Sequence, residues 1–318
     1  MPLLGIAKLA AQGPLLATKA LVDYRELATR RWISRCSSDR MPFQWTINSY
    51  RGCELACRYC YARYTHEFLE LSPGVGFDTQ IFAKRWSTSA FVSELRRIPR
   101  QQSLAIGTAT DPYQPAERRF GLTRRVLEVL AGDYGRRIIL TTKSDLVSRD
   151  ADLLSEIQRR NTLIVFVTVT TLDRNLARIL EPKAPCPERR LAGVQKLAEA
   201  GLAVGVTASP VMPGFNDSIR SLDEVGRAAQ QAGARYFGAS VFFLKLSTWP
   251  VFLAAVEEHF PALVPIYREA YRDRAFLTGE YPKRIQQQVE EVRRRYSLKR
   301  WEEAPPAEFL PQLPLFAA

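Results

Sequence analysis

Cys53, Cys57 and Cys60 lie within eight residues of one another in "RGCELACRYCY", in a chain of 318 residues that has five cysteines in all. Soft thiolates select zinc, copper(I) or iron–sulfur clusters. A closed zinc site takes four ligands, usually as two separated pairs. No second cysteine pair exists, but His66 is near enough in sequence to be a fourth ligand. That reading makes the chain a non-enzymatic zinc-binding nucleic-acid module. A stripe of buried thiols at i, i+4 and i+7 of a helix is a second reading. Arg51, Glu54, Arg58 and Arg63 oppose it, being too polar for a core face. A third is a cubane [4Fe–4S] cluster with one thiolate on each of three irons. Four-cysteine ligation is the usual pattern. Three ligands leave one iron open to an exogenous molecule, and an open position means chemistry rather than structure.

Something must hold such a loop, and the surrounding sequence alternates two periods. Apolar, β-branched runs ("QWTINSY", "SLAIGTAT", "RRIILTTKS", "TLIVFVTVTT", "AVGVTASPVMPG", "ARYFGASVFFL") each precede or follow an amphipathic stretch. Continuous apolar runs suit strands covered on both faces. Their alternation with helices argues for a parallel sheet with right-handed crossovers, either doubly wound or a complete or incomplete barrel. In each of these architectures reactive groups gather at the carboxyl ends of the strands. The polar segments fall there: the cysteine loop, "TATDPYQ", "TTKS", "TVTT" and "ASPVMPGFND". Residues 1–43 read as an extension with a helix over "LVDYRELATRRWIS". Residues 44–248 form the core, 249–300 a helical segment, and 301–318 a Pro-containing tail.

Composition narrows the classes further. Hydrophobic content is 46%, ordinary for a globular protein with a sizeable core. No apolar run approaches the roughly 20 residues that span a bilayer, and the amino terminus lacks the order of a signal peptide; a cytoplasmic protein with no membrane partner is expected. Clustered, odd-numbered cysteines do not make a disulfide framework. The formal net charge of +12 implies an anionic partner, nucleic acid being the commonest. "RRWISR", "KRIQQQ", "RRRYSLKR" and "AERRFGLTRR" supply basic residues, some interleaved with aromatics.

C-x3-C-x-aromatic-C after a first strand resembles the signature of the radical S-adenosylmethionine (SAM) superfamily. "NSYRGCELACRYCYAR", "TDPYQPAE", "TTKSDLVSRD", "LEPKAPCPERRLAGVQKLAEAGLAVGV" and "SPVMPGFND" resemble its spore photoproduct lyase-like branch, related to DNA repair photolyases. The resemblance implies an α/β fold, a partial (β/α)6 TIM-type barrel. It implies a [4Fe–4S] cluster on Cys53, Cys57 and Cys60 whose open iron binds SAM, a one-electron reductant of flavodoxin or ferredoxin type, and hydrogen abstraction by the radical released from SAM. Tyr59 would pack near the adenine, Thr110 and Thr168 would contact SAM, and Lys143 would pair with its carboxylate. Arg190 is a second candidate for that carboxylate; Glu181 belongs to the same stretch. One position departs from the branch: Thr108 stands where a hydrogen-donating cysteine is expected. A threonine O–H bond is too strong to replace it, and Cys36 and Cys186 do not fit the motif.

Overall fold

The computed structural model describes residues 3–29, 31–38 and 40–303. Its strands are β1 (Leu15–Lys19), β2 (Val22–Leu27), β3 (Ile33–Arg35), β4 (Trp45–Ile47), β5 (Tyr50–Arg51), β6 (Gln80–Lys84), β7 (Leu104–Ile106), β8 (Arg137–Thr142), β9 (Thr162–Thr168), β10 (Val204–Thr207) and β11 (Tyr236–Gly238). A seven-stranded sheet has the order β11-β10-β9-β8-β7-β4-β3. Six of its strands are parallel neighbours and only β3 runs antiparallel, against β4. With β3 at one end and β11 at the other, it is a partial (β/α)6 barrel, not a closed one.

The expected helices cover this sheet. Leu122–Ala131 buries Val126, Leu127 and Leu130, and Ala151–Arg160 buries Leu154 and Ile157. Pro187–Glu199 and Ile219–Gln231 follow β9 and β10. Their inward faces and the inward residues of β4 and β7–β11 make one continuous core. Glycine is required where elements approach: a Cβ on Gly205 in β10 would sit 2.3 Å from the Phe166 ring of β9.

The amino-terminal extension departs from expectation. Residues 21–29 and 31–34 are not helical; they include β2 and the start of β3, and the nearby helix is Gly5–Gln12. "VDYREL" carries its buried side chains Val22 and Tyr24 at the strand period of two. β2 pairs antiparallel with β1 and parallel with β6, 57 residues ahead in register at Tyr24↔Ile81 and Arg25↔Phe82. That pairing is tertiary, so local helix propensity loses to it. The resulting second sheet, β1-β2-β6-β5, ends on Tyr50–Arg51, immediately before the cysteines. At the other end of the chain, helices Trp249–His259, Val264–Ala270 and Glu280–Tyr296 make residues 249–300 helical as expected. Of the tail, residues 304–318 lie outside the described residues.

Candidate active site

The cysteine loop is held mainly through its backbone. It begins with Gly52 at φ +79°, where a Cβ would meet Gln80 O at 2.8 Å and Phe77 O at 3.0 Å. Cys53 N donates to Phe77 O at 2.9 Å, Arg58 N to Leu180 O at 2.8 Å, and Thr248 Oγ1 to Cys60 O at 2.9 Å. The helix Val75–Thr79 that leads into β6, the helix Arg174–Leu180 after β9 and the residue capping Trp249–His259 therefore each grip one part of it.

Gln114 ties it to the end of β7, accepting from Glu54 N at 2.9 Å while donating to Gly52 O and to Thr110 Oγ1. Thr110 in turn donates to Gly52 O at 2.6 Å. Its hydroxyl is engaged in shaping the loop.

Arg63, by its polarity unsuited to a core face, is completely buried. Its guanidinium donates to both Asp78 oxygens at 3.0 Å, to Cys57 O at 3.0 Å, and to Pro73 O and Gly74 O. Glu54 is buried as well, accepting from Tyr24 Oη at 2.9 Å. Both side chains are hydrogen-bonded, which is how charge survives inside an apolar surround, although Arg63 Nε and Glu54 Oε1 have no partner among the described residues.

Inside the barrel end, the Tyr59 hydroxyl donates to Glu181 Oε1 and lies 3.2 Å from Thr170 Oγ1, which also donates to Glu181 at 2.7 Å. Arg190 closes the set on Glu181 Oε2, with further bonds to Pro185 O at 2.7 Å and Thr168 O at 3.1 Å. Burial alone would raise the Glu181 carboxyl, but Arg190 and then Lys143 hold it below its ordinary value. Lys143 stands 5.5 Å from the Tyr59 ring centre. Burial pulls its ammonium down, yet Cys57 and Glu181 outweigh that and hold it up.

Asp111 aims Lys143 by accepting from its backbone N–H at 2.7 Å and from Thr142 Oγ1 at 2.6 Å. Thr168 is buried at the end of β9. Thr108 Oγ1 accepts from Asn48 Nδ2 at 3.1 Å, and its carbonyl accepts from the Tyr61 hydroxyl.

Tyr59, Lys143, Thr168, Arg190 and the three cysteines thus meet at the carboxyl ends of the barrel strands. Of these, Arg190 faces Glu181 and backbone carbonyls, an inward position. His66 does not join them: it is buried between Phe77 and Phe82, with Nε2 3.0 Å from Gln80 O. Cys186 is exposed at a helix start and Cys36 is half-buried after β3.

Residues 47–225 match the family model described as the radical SAM superfamily. The chain belongs to the radical SAM superfamily. An uncharacterized protein of Mycobacterium tuberculosis is 38% identical over 81% of this chain and 76% of its own length. One from Methanocaldococcus jannaschii is 28% identical over 55% of this chain and 62% of its own. Among solved structures, spore photoproduct lyase aligns with a TM-score of 0.66 at 16% identity, over 86% of this chain and 79% of that one. A form of it with bound AdoMet and dinucleoside spore photoproduct aligns at 0.64 with the same identity, over 84% and 77%. The radical SAM enzyme therefore has the fold of spore photoproduct lyase. This membership sets aside the non-enzymatic zinc module.

The residues present fit an iron–sulfur group. Cys53 and Cys57 are buried in an apolar shell with Phe77, Leu176, Leu180 and Met212, and Cys60 packs against it. Burial pushes all three thiols up: Cys53 is raised further by Asp111 and the other two cysteines, and Cys57 is pushed up to about 12. A metal group's positive charge is what makes thiolate the favoured form in such a place. Among the described residues no three His, Cys, Asp or Glu side chains surround a single-ion position. A cubane, which puts each thiolate on a different iron, accepts wider spacing. Sequence reasoning missed Arg63, Asp78, Asp111, Asn48 and Gln114. Asn48, Asp111 and Gln114 lie in the quoted motif stretches, but nothing local distinguishes a side chain that holds a loop from one that meets a ligand.

Proposed function

We propose that this enzyme holds a [4Fe–4S] cluster on Cys53, Cys57 and Cys60 and uses it to cleave SAM reductively and abstract hydrogen from its substrate. The observation that carries the reading is the convergence of two buried cysteines and a half-buried third, an ammonium and an aromatic ring on one apolar strand end, the chamber in which SAM would lie. When bound, cluster and SAM together supply the electron and the hydrogen-abstracting radical. The chain's own part is placement and exclusion of water. Lys143 offers a cation to the SAM carboxylate, Thr168 lines the chamber, and Tyr59 presents its ring to the adenine with its hydroxyl pinned by Glu181. Thr110 and Arg190 act one step back, Thr110 on the loop backbone and Arg190 on Glu181.

We take residues 44–248 as the catalytic unit, with 1–43 and 249–300 shaping specificity. No helix among the described residues is long and apolar enough to cross a membrane, in keeping with a cytoplasmic site of action. The net charge of +12 favours an anionic substrate such as nucleic acid. Thr108 argues against spore photoproduct itself, because its hydroxyl cannot return a hydrogen atom as a thiol does.

Anaerobic reconstitution tests the reading. The expected product is a brown protein with about four irons per chain that turns SAM into 5′-deoxyadenosine under dithionite. A colourless protein holding one zinc overturns it. Comparing 5′-deoxyadenosine yield with DNA, with RNA and with neither then tests the substrate class.

A further inference from the structure

The outer side of the cysteine loop carries charge that the proposed chemistry inside does not use. Tyr59 turns into the barrel, whereas its neighbour Arg58 faces a surface cleft of about 310 Å³. Pro250, Val251, Ala254, Ala255, Glu258 and His259 of the helix Trp249–His259 line that cleft. Val75, 74% exposed, stands beside it: a Cβ on adjoining Gly74 would touch Val251 at 3.9 Å.

Three further exposed cations stand on separate elements that meet the cysteine loop or its partner Tyr24. Lys183 packs its backbone against the loop, its N–H donating to Leu55 O. Lys19 ends β1, opposite Val22, two residues before the Tyr24 that bonds Glu54. Arg119 lies over Phe120, whose ring meets Tyr24 at 5.5 Å. Lys19 and Lys183 both act on the Glu54 carboxyl, and Lys183 and Arg58 both act on Asp78. Those two carboxylates are buried and already bonded within the fold. None of Lys19, Arg58, Arg119 and Lys183 has a salt-bridge partner among the described residues, although surface arginines elsewhere are widely paired.

We infer that this cationic rim and its apolar cleft are the docking surface for a small acidic one-electron carrier protein that reduces the cluster. The inference rests on the cluster reading above. Electron tunnelling falls off exponentially with distance, so a carrier must come against the loop that holds the acceptor. Unpaired cations around a shallow apolar patch are the complement of an acidic protein with an apolar centre. A single-stranded nucleic acid would want aromatic platforms for its bases, and no Phe, Tyr or Trp lines the cleft.

The test uses the reconstituted full chain, wild type and Lys19→Glu/Lys183→Glu, with reduced flavodoxin as donor and dithionite as a small control reductant. Cluster bleaching is followed by absorbance in a stopped flow, without substrate. Charge reversal is expected to lower the second-order rate with flavodoxin about tenfold or more at low salt, with the difference shrinking as salt rises. The dithionite rate stays at the wild-type value. Val251→Glu, which alters the cleft and not the lysines, is expected to lower the flavodoxin rate as well. Wild-type flavodoxin rates in both variants overturn the inference, as do equal losses with both reductants. Loss of affinity for a single-stranded oligonucleotide with unchanged flavodoxin kinetics overturns it in favour of a nucleic-acid contact. Failure of the wild-type protein to bleach with dithionite sinks the cluster reading instead.

Discussion

Two buried arginine–carboxylate pairs flank the cysteine loop, and they work differently. Arg63 and Asp78 sit on the outer side, Arg190 and Glu181 on the barrel side, and both arginines are essentially unexposed. Arg63 directs its other donors at backbone carbonyls, Cys57 O among them. Asp78 feels burial more than its cation, and its carboxyl is lifted above the ordinary value. Glu181 lies between Arg190 and Lys143, which overcome burial and hold its carboxyl down, and it accepts from the hydroxyls of Tyr59 and Thr170. One pair shapes the loop that carries the thiols. The other pins the Tyr59 hydroxyl beside the proposed SAM site.

That contrast is breakable. Arg63→Met strands Asp78 in an apolar surround, and removing one partner of a buried pair costs about 3–5 kcal/mol. Denaturant unfolding should show a loss of that size, with iron content after reconstitution falling in parallel. Glu181→Gln strands Arg190 and should cost about 3 kcal/mol, but the loop keeps its iron and the loss appears in SAM affinity. Equal iron loss in both variants would erase the distinction between the pairs. Adding Arg190→Met to Glu181→Gln should recover part of the stability, because the orphaned charge is gone.

His66 bounds the outer side in a pH-dependent way. Burial brings its imidazole down to about 4 against the opposing bond to Gln80 O, from 6.5 in the unfolded chain. The unfolded state therefore binds the extra proton between those values, and stability is lost as pH falls from 6.5 through 4. The full loss is at most about 3 kcal/mol, and unfolding curves of His66→Gln at successive pH values should lack that slope. Smallest is Tyr59→Phe, which removes one hydroxyl from Glu181 and should lower unfolding free energy by about 1 kcal/mol. Iron content should stay at the wild-type value.

The legible part of this protein is the part encoded by spacing. Six apolar runs at strand period, separated by amphipathic helices, are local signals, and they became β4 and β7–β11. The three cysteines and Tyr59 are likewise one short segment, and the turn geometry that gathers them begins at Gly52. Residues 21–34 defeated the same reasoning because β2 takes its conformation from β6, far ahead in the chain. Arg63 defeated it because polarity marks exposure only until a carboxylate and three backbone carbonyls are supplied from elsewhere.

By itself the sequence determined the superfamily, the strand–helix alternation and the thiol set, since each depends on residues close together along the chain. Only the tertiary structure decided which strand-end groups are engaged in holding the frame. Arg190 and Thr110 are engaged by Glu181 and by Gly52 O, while Lys143 remains beside Tyr59. The reason is that a hydrogen bond is a property of two groups, and their separation in space is set by the packing of elements that the chain joins only at long range.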